Sequence, residues 1–346
     1  MPAVFSEIIK LEDKLKKTRL PAELAEKAGG LLERLAITAE AGGNLSDFDN
    51  IARYFDWIVA LPWYQRVTTI PDIDQVKKIL DANHYGLQQV KDRILEYLAV
   101  LILKSADTEK LKAPILCFLG LVGTGKTTLG YSIAQSLGRP FWRVPFGGMG
   151  GAANLRGQSR AYADSEPGQI IKTLRRVGAG NPVILLDEID RITEESRADI
   201  MGVLVELLDP EQNFAFLDHY IDYPVDLSEV LFVATANNTT NIATAVLDRL
   251  EIIQMPSYSD SEKITIGKRY ILPKALSDSG LSKDSVQFEE GVWSKLVRPL
   301  GFDPGMRSLE RTIYGICRKV ARATLEKKVK TVKVDSANLS QLLPSW

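Results

Sequence analysis

Residues 120–127 read Gly-Leu-Val-Gly-Thr-Gly-Lys-Thr. They follow a short apolar run at residues 115–119 and precede a segment of helical character at residues 128–137. A strand, a glycine-rich turn and a helix in this order form the setting in which a P-loop binds phosphate groups. Glycines allow the backbone to turn tightly, so that several N–H groups point into one concavity beside the positive end of a helix. This stretch therefore predicts a nucleotide-binding site.

The residue types in the loop predict separate roles. We expect the Lys126 ammonium to reach the β- and γ-phosphates and the Thr127 hydroxyl to ligate Mg²⁺. The alternative, a glycine-rich turn that fits the pattern by chance, is disfavoured because a strand and a helix flank the loop. The residues of this region expected to bind ATP or ADP are Gly120, Gly123, Thr124, Gly125, Lys126, Thr127 and Thr128.

The composition is that of an ordinary globular protein. The chain has 346 residues, enough for two or three domains, and its formal net charge of −1 gives no overall field that would recruit nucleic acid or an anionic membrane. Cys117 and Cys317 lack metal-ligand spacing, so we expect no structural zinc site. The N-terminus does not read as a signal peptide, and the longest apolar run, residues 97–103, is too short to span a bilayer. We expect an intracellular soluble protein, in the cytoplasm or in an organelle matrix, with no membrane partner.

Further runs of apolar, β-prone residues occur at residues 141–144, 183–186, 230–234 and 252–255. Helical or loop segments separate them, and this alternation is typical of a parallel sheet with helices on both faces. We therefore predict an α/β fold of the P-loop type with three layers.

The two ends of the chain read differently. Residues up to about 65 have helical patterns, and after Pro256 the pattern is again helical, apart from one candidate strand at residues 331–334. The predicted parts are a helical N-terminal segment at residues 1–68, an α/β nucleotide-binding domain at residues 69–256, and a small α-helical lid domain at residues 257–346.

Two adjacent carboxylates, Asp187 and Glu188, end the run at residues 183–186. At the carboxyl edge of a sheet an acidic side chain can hold Mg²⁺, and we assign this role to Asp187. Glu188 is expected to polarise the water that attacks the γ-phosphate, as a general base does. An apolar strand that ends in Asp-Glu is usually one that exits to solvent. Here Asp187 lies 60 residues after Thr127, with a strand between them, which favours the catalytic interpretation.

Three more residues fit a nucleotide site, although spacing alone identifies none of them. Asn237 follows another predicted strand, where its amide can orient the attacking water. Arg249 suits the γ-phosphate of a neighbouring subunit, and such an arginine finger is worth roughly 10³ to 10⁵ in rate. Tyr85 lies in a turn upstream of the P-loop strand, where it can stack on the adenine base.

These features together resemble an AAA+ ATPase, and more narrowly the ATPase module of Lon proteases. The resemblance covers nearly the whole chain from about residue 5. The matching stretches are Leu61-Pro62-Trp63, residues 84–100 from His84-Tyr85-Gly86-Leu87 onward, Leu207-Leu208-Asp209-Pro210-Glu211-Gln212-Asn213, Asp218-His219-Tyr220, Leu247-Asp248-Arg249-Leu250-Glu251 and Gly305-Met306-Arg307-Ser308-Leu309-Glu310-Arg311.

The resemblance implies a role for each matching position. Lys126 and Thr127 correspond to Walker A, Asp187 and Glu188 to Walker B, Asn237 to sensor 1, Arg249 to the arginine finger, Arg307 to sensor 2, and Tyr85 with Gly86 to the adenine-side turn. It also implies a hexameric ring that unfolds protein substrates and threads them through a central pore. Full-length Lon proteases carry a Ser-Lys protease domain after this module and a large N-terminal domain before it, so we expect a fragment of a longer protease rather than a stand-alone AAA+ chaperone.

The chain departs from the family pattern in the loop expected to line the pore. Tyr162, which can grip a translocating chain, is present, but its aliphatic partner is reduced to Ala163, and two acids, Asp164 and Glu166, enter the loop. We expect a weaker grip or a bias towards basic substrates; the alternative is a rigid loop with the tyrosine packed inward. A second departure, at residues 198–202, lacks the family's proline and places the second pore loop in doubt.

Two other function classes remain open at this point. The first is a DNA-directed AAA+ ATPase of the clamp-loader or initiator type, and the second is a nucleotide-binding scaffold with little turnover. The scaffold is disfavoured because Lys126, Glu188 and Arg249 are all present. The first rests on a basic run that is more typical of a solvated helix face. Its residues are Arg318, Lys319, Arg322, Lys327, Lys328, Lys330 and Lys333.

Overall fold

The structure is a computed structural model, and it describes residues 2–41, 48–68, 72–105, 114–162, 164–298, 305–327 and 331–344. The strands are β1 (Ile115–Leu119), β2 (Phe141–Pro145), β3 (Val183–Asp187), β4 (Phe216–Asp218), β5 (Tyr223–Val225), β6 (Leu231–Ala236), β7 (Leu250–Gln254), β8 (Val286–Phe288) and β9 (Val332–Val334).

The helices before the last strand of the large sheet are α1 (Pro2–Lys17), α2 (Ala22–Glu40), α3 (Phe48–Ala60), α4 (Ile73–Asn83), α5 (Gln88–Ser105), α6 (Lys126–Ser136), α7 (Ala153–Arg156), α8 (Gln169–Val177), α9 (Glu194–Leu208) and α10 (Thr244–Leu247). Those after it are α11 (Asp260–Ile266), α12 (Leu272–Asp278), α13 (Glu290–Val297), α14 (Arg307–Lys327) and α15 (Leu339–Leu342), with a π-helical turn at Gly267–Ile271.

Five parallel strands form the central sheet in the order β2-β3-β6-β1-β7. Every residue of β1, β3 and β6 is buried, because helices cover both faces, and this explains their continuous apolar runs. The predicted α/β fold with a parallel sheet is confirmed. The order of strands within the sheet places the carboxyl ends of β3, β6 and β1 side by side, so the residues that follow these strands meet at one edge of the sheet.

Helices α1 to α3 do not stand apart from the sheet. Leu24, Phe55 and Ile58 are buried in the same hydrophobic cluster as Ile184 and Phe232 of the sheet. Burying apolar area at roughly 25 cal/mol per Å² makes this shared core a main source of the stability of the N-terminal helices.

The C-terminal part has a hydrophobic cluster of its own. Trp293, Ile313 and Cys317 lie at its centre, and α11 to α15 surround it. The candidate strand near residue 331 is confirmed as β9, but the expectation that strands otherwise stop after Pro256 is wrong, because β8 pairs with β9 in parallel. A three-residue strand is too short to show alternation, and its pairing with a distant segment leaves no local signal.

The sequence pattern also gave no sign of the antiparallel hairpin of β4 and β5, which lies between α9 and β6 in the chain.

In the described ranges, no helix combines the length and the apolar character needed to cross a membrane.

Candidate nucleotide site

A cavity of about 510 Å³ opens at the carboxyl edge of the sheet, between the sheet and the C-terminal helices. Its lining brings together most of the residues that the sequence suggested for a nucleotide site. These are Tyr85, Gly123, Gly125, Lys126, Thr127, Thr128, Asp187, Glu188, Asn237 and Arg307. Gly86, Gly120 and Thr124 lie in the adjoining turns but are outside this lining, and Arg249 lies away from it.

The turn between β1 and α6 has the geometry that a phosphate cradle requires. Gly125 precedes α6 with a φ of 93°, in the left-handed region that glycine adopts without steric cost. The N-terminus of α6 therefore faces the cavity with its first N–H groups unpaired within the helix.

Lys126 is already held in the cavity by neighbouring oxygens. Its Nζ donates to the carbonyls of Gly120 at 2.5 Å and Leu121 at 3.0 Å, and to Oδ1 of Asn237 at 3.1 Å. Burial lowers the pKa of Lys126, while the carboxylates of Asp190, Asp187 and Glu188 act in the opposite direction. The ammonium is thus partly desolvated, which strengthens its attraction for an incoming phosphate.

Asp187 lies among three donors at the end of β3. Arg143 Nε on β2 donates to Oδ2 at 2.5 Å, while Thr235 Oγ1 on β6 donates to Oδ1, and Thr127 Oγ1 lies 3.5 Å from that same oxygen. Asp187 itself is only 3% exposed. Arg143 and Thr235 were not foreseen from the sequence, because only the strand order places β2 and β6 on either side of β3.

Glu188 begins the turn after β3 with a φ of 59°, a left-handed conformation that is uncommon for a residue with a side chain. Its N–H donates to Thr235 Oγ1 at 2.9 Å, and Arg191 Nη1 lies 3.6 Å from its Oε1. Thr235 therefore orients both carboxyl residues. Backbone strain of this kind is typical of functional sites, and here it turns the Glu188 side chain into the cavity.

The donors in this cavity fit a nucleotide with Mg²⁺. The Nδ2 of Asn237 is buried with no hydrogen-bond partner among the described residues, so a donor is available beside Lys126 for a phosphate oxygen or a water. Thr127 and Asp187 supply the hydroxyl and carboxylate oxygens that Mg²⁺ prefers.

The C-terminal helices contact the P-loop directly. Met306 N–H, just before α14, donates to the carbonyl of Gly123 at 2.9 Å. A Cβ added at Gly305 would lie 2.4 Å from the carbonyl oxygen of Val122, so only glycine fits there. Arg307, the first residue of α14, thereby reaches the cavity.

One side of the cavity is aromatic, and its residues come from the segment before β1 and from the C-terminal part after β7. Tyr85 lines it together with Tyr258 and Tyr270, two residues that the sequence did not single out. Tyr258 OH donates to the Thr124 carbonyl at 3.2 Å, and burial raises the pKa of this tyrosine to about 12. Beside Tyr85, burial lowers the pKa of His84 to about 4, so His84 is neutral near pH 7 and its Nε2 pairs with Ser132 Oγ at 2.9 Å.

Comparison with known families agrees with this arrangement. Residues 116–258 match the model of the ATPase family associated with various cellular activities (AAA), and residues 277–333 match that of the Lon protease AAA+ ATPase lid domain. The chain is a Lon-type AAA+ ATPase module.

Similar full-length proteins place the Lon-type module within longer chains. It is 42% identical over 338 residues to a Lon protease of Syntrophomonas wolfei subsp. wolfei, covering 98% of this chain and 41% of that protein. A Lon protease of Lawsonia intracellularis is 44% identical over 341 residues, covering 97% and 40%, and Lon protease 2 of Herpetosiphon aurantiacus is 40% identical over 337 residues, covering 97% and 41%. The chain therefore spans about two-fifths of the length of these relatives.

Arg249 of the Lon-type module does not reach its own nucleotide cavity. Its Nη2 donates to Asp209 Oδ2 at 2.8 Å and its Nη1 to the Ala245 carbonyl at 2.8 Å, while Nε is buried without a partner among the described residues. The hydrogen bond from Arg249 is the largest of the effects that lower the pKa of Asp209. The arginine is thus fixed in direction by Asp209 and by the Ala245 carbonyl.

The Tyr162 loop, which we define as residues 157–168, lies outside the nucleotide cavity. Tyr162 is 67% exposed, contrary to the alternative that packs it inward, and Ala163 lies outside the described residues. Of the two acids in this loop, Glu166 pairs with Lys172 at 2.5 Å, so the expected bias towards basic substrates rests on Asp164. Residues 198–202 continue helix α9, because no proline interrupts its hydrogen bonds.

Proposed function

We propose that this Lon-type module hydrolyses ATP between the subunits of a ring and uses the cycle to move an unfolded protein chain. The observation that carries this proposal is the division of the charged groups. Lys126, Asp187 and Glu188 share one cavity, whereas Arg249 is held away from it by Asp209 and keeps 28% of its side chain exposed. The cavity contains Arg143 and Arg307 but not Arg249, so Arg249 would act on the cavity of a second copy, and a ring supplies that copy at every interface.

In this proposal each residue of the cavity has a distinct task. Lys126 exchanges its carbonyl partners for the β- and γ-phosphates, and Asn237 donates Nδ2 to the attacking water or to a phosphate oxygen. Thr127 and Asp187 would hold Mg²⁺, which neutralises charge on the phosphates when it is bound. Tyr85 and Gly86 form the adenine side.

Glu188 takes the proton of the attacking water, as a general base. Its carboxylate lies in the cavity, and the strained turn together with the Thr235 hydrogen bond fixes its direction. Arg249 from a neighbouring subunit then stabilises the charge that develops on the γ-phosphate, while Arg307 contacts the nucleotide from the lid.

Movement of a substrate follows from the position of the lid. Because the Met306 N–H is hydrogen-bonded to the Gly123 carbonyl, a change of conformation in the P-loop would move the lid. Tyr162 and Ala163 would contact the translocating chain. We further propose that partners in the full-length protein are a downstream protease domain and five other subunits, in the cytoplasm or an organelle matrix, and that damaged or unfolded proteins are the substrates.

A DNA-directed role finds no comparable support. Three of its seven basic residues are engaged within the lid, and two of these form ion pairs, Arg322 with Glu326 at 2.7 Å and Lys333 with Glu289 at 2.8 Å. Lys319 donates to the Gln341 carbonyl at 2.8 Å, and Lys328 and Lys330 lie outside the described residues.

The test is ATP turnover per subunit measured over a range of chain concentrations, with and without a carboxymethylated, permanently unfolded protein. We expect specific activity to rise with concentration, because the site needs Arg249 from a second copy, and to rise further with the unfolded protein. Constant specific activity at all concentrations would contradict the shared site. Stimulation by duplex DNA, but not by unfolded protein, would favour the DNA-directed alternative.

A further inference from the structure

Both ends of the Tyr162 loop meet at one buried carboxylate, that of Asp218. This residue ends strand β4 and is 0% exposed. Its Oδ2 accepts the N–H of Gly168, the last residue of the loop, at 2.7 Å. A Cβ added at Gly157, the first residue of the loop, would lie 2.9 Å and 3.0 Å from the two carboxylate oxygens.

The other oxygen of Asp218 fixes the carboxylate to its own hairpin. Oδ1 accepts the N–H groups of Tyr220 at 2.9 Å and Ile221 at 3.1 Å. The two oxygens therefore face opposite ways, one towards the hairpin and one towards the loop. Burial raises the pKa of Asp218 to about 6, against the lowering effect of its three N–H partners, so at neutral pH the group is ionised and both oxygens accept hydrogen bonds.

The base of the loop is closed by further backbone contacts. Gln158 N–H donates to the Glu166 carbonyl at 3.1 Å, and His219 N–H donates to the Arg156 carbonyl at 2.7 Å. A Cβ on Gly168 would come within 1.8 Å of the Leu155 carbonyl oxygen, so the two sides of the base touch. Among the described residues, this narrow base leaves residues 159–162 and 164–165 as the projecting part of the loop.

A third contact joins the projecting part to the N-terminal helices. The guanidinium carbon of Arg160 lies 3.9 Å from the centroid of the Tyr54 ring on α3, a cation–π distance. Tyr54 is 3% exposed, and its hydroxyl donates to the Ile221 carbonyl at 3.4 Å. Arg160 Nη2 also lies 3.8 Å from Asp222 Oδ2. The residue two positions before Tyr162 therefore rests on both α3 and the hairpin.

We propose that Asp218 and Arg160 are positioning residues that set the direction in which Tyr162 is presented, with α3 acting through Tyr54 as part of the same support. The proposal rests on the proposed function insofar as Tyr162 contacts a translocating chain. It assigns to the β4–β5 hairpin and to the N-terminal helices a role in substrate handling that is separate from nucleotide chemistry, because none of these residues lines the nucleotide cavity.

The substitution Asp218→Asn tests the need for two accepting oxygens. An amide keeps the size of the carboxylate but has only one acceptor, so its NH₂ group must face either the Gly168 N–H or those of Tyr220 and Ile221. On that side the NH₂ group and a backbone N–H then face each other without an acceptor, and the hydrogen bonding that held that side is lost. Arg160→Gln removes the cation, while Arg160→Lys retains a charge over the ring.

The first readout is amide hydrogen exchange in the full chain. We expect exchange in peptides that span residues 157–168 to be at least tenfold faster in Asp218→Asn and about threefold faster in Arg160→Gln, with peptides of the P-loop unchanged. Glu166→Gln is the matched control, since it removes an exposed acid of the same loop whose partner is Lys172, and we expect no change. If amide exchange in residues 157–168 is as slow in Asp218→Asn as in the unaltered chain, the proposal is overturned.

The second readout separates positioning from general stability. We expect basal ATP turnover to stay within twofold in both variants, whereas the concentration of carboxymethylated unfolded protein needed for half-maximal stimulation rises about tenfold in Asp218→Asn. Arg160→Lys should recover most of the loss seen in Arg160→Gln. If Asp218→Asn does not fold, the comparison of Arg160→Gln with Arg160→Lys tests the proposal. Equal half-maximal concentrations of the unfolded protein for these two variants would contradict it.

Failure of the proposed function would look different. If the unfolded protein does not stimulate the unaltered chain, the substrate role of Tyr162 fails, while the exchange experiment still decides whether Asp218 and Arg160 hold the loop.

Discussion

In the nucleotide cavity two of the charged groups already have hydrogen-bond partners: Lys126 donates to carbonyls and to Asn237, and Asp187 accepts from Arg143. In the Tyr162 loop the contacts lie at the base, around Asp218, and at Arg160, whereas Tyr162 itself carries an aromatic ring that is 67% exposed. The cavity is thus arranged to act on specific atoms, whereas the loop is arranged to hold one side chain in a specific place. Removing a single functional group should abolish ATP hydrolysis in the cavity, whereas substitutions that shift the Tyr162 loop should weaken substrate binding.

The largest effect expected in the cavity comes from a residue outside it. Arg249→Ala should lower ATP turnover by roughly 10³ to 10⁵, because an arginine finger stabilises charge that exists only in the transition state. The measurement is steady-state ATP hydrolysis, both alone and after mixing with Lys126→Ala chains. A mixture should regain activity, since intact Arg249 of one chain then serves the intact Lys126 of the other.

Arg93→Ala is the control for that experiment, because Arg93 pairs with Glu251 at the surface at 2.7 Å. A melting temperature for Arg249→Ala is needed beside the activity, because the substitution removes the ion-pair partner of Asp209. If no mixture ratio recovers turnover while both chains remain folded, the arginine does not act on a second copy.

Glu188→Gln should come next, with ATP hydrolysis reduced by roughly 10² to 10⁴ and ATP binding retained. The amide keeps the shape and the hydrogen bond from the strained turn, but it cannot accept the proton of the attacking water. Binding by calorimetry and hydrolysis by phosphate release measure the two properties separately. Glu195→Gln, an exposed acid in the first turn of α9, is the matched control, and equal hydrolysis in both variants would remove Glu188 from its role.

Tyr162→Ala should leave basal turnover within twofold and weaken the response to an unfolded protein. Burial of a large side chain is worth about 1.5–3 kcal/mol, which corresponds to roughly a tenfold to hundredfold loss of apparent affinity for the polypeptide. The measurement is ATP turnover against concentration of carboxymethylated unfolded protein. Tyr64→Ala, which removes another half-exposed tyrosine, is the control. An unchanged response would separate the loop from substrate binding.

The smallest effect should appear at Arg143. Without Mg²⁺ the Asp187 carboxylate repels the phosphates of ADP, and the Arg143 cation offsets that charge. Arg143→Gln should therefore weaken ADP binding by up to about tenfold in the presence of EDTA and by less than threefold with Mg²⁺. Calorimetry under both conditions, with Arg93→Gln as control, measures the difference. Equal losses in both conditions would show that Arg143 does not act through Asp187.

The sequence predicted the cavity well where its residues follow strands directly. Lys126, Thr127, Asp187 and Asn237 line the cavity together, as expected, because a parallel sheet aligns the ends of its strands. It failed for Arg143 and Thr235, which act on Asp187 from the two neighbouring strands. A strand order is a non-local property, and a single arginine or threonine within an apolar run carries no sign of its neighbour.

The Tyr162 loop was less predictable for the same reason. The sequence drew attention to Tyr162 and to the acids near it, but the support comes from a hairpin about fifty residues later and from α3 about one hundred residues earlier. Strands β4 and β5 are three residues each, too short for a periodic signal, so the hairpin that carries the Asp218 contacts escaped detection.

The contact of Gly305 with Val122 has a consequence for the exchange of ADP for ATP. The lid touches the phosphate loop through backbone atoms, so any side chain at position 305 would separate the two surfaces without altering a single ligand-binding group. We expect release of a bound nucleotide to require that Gly305 and the Val122 carbonyl move apart. We therefore expect Gly305→Ala to hold the lid away from the phosphate loop, so that a bound nucleotide leaves faster although the side chains that contact it are unchanged.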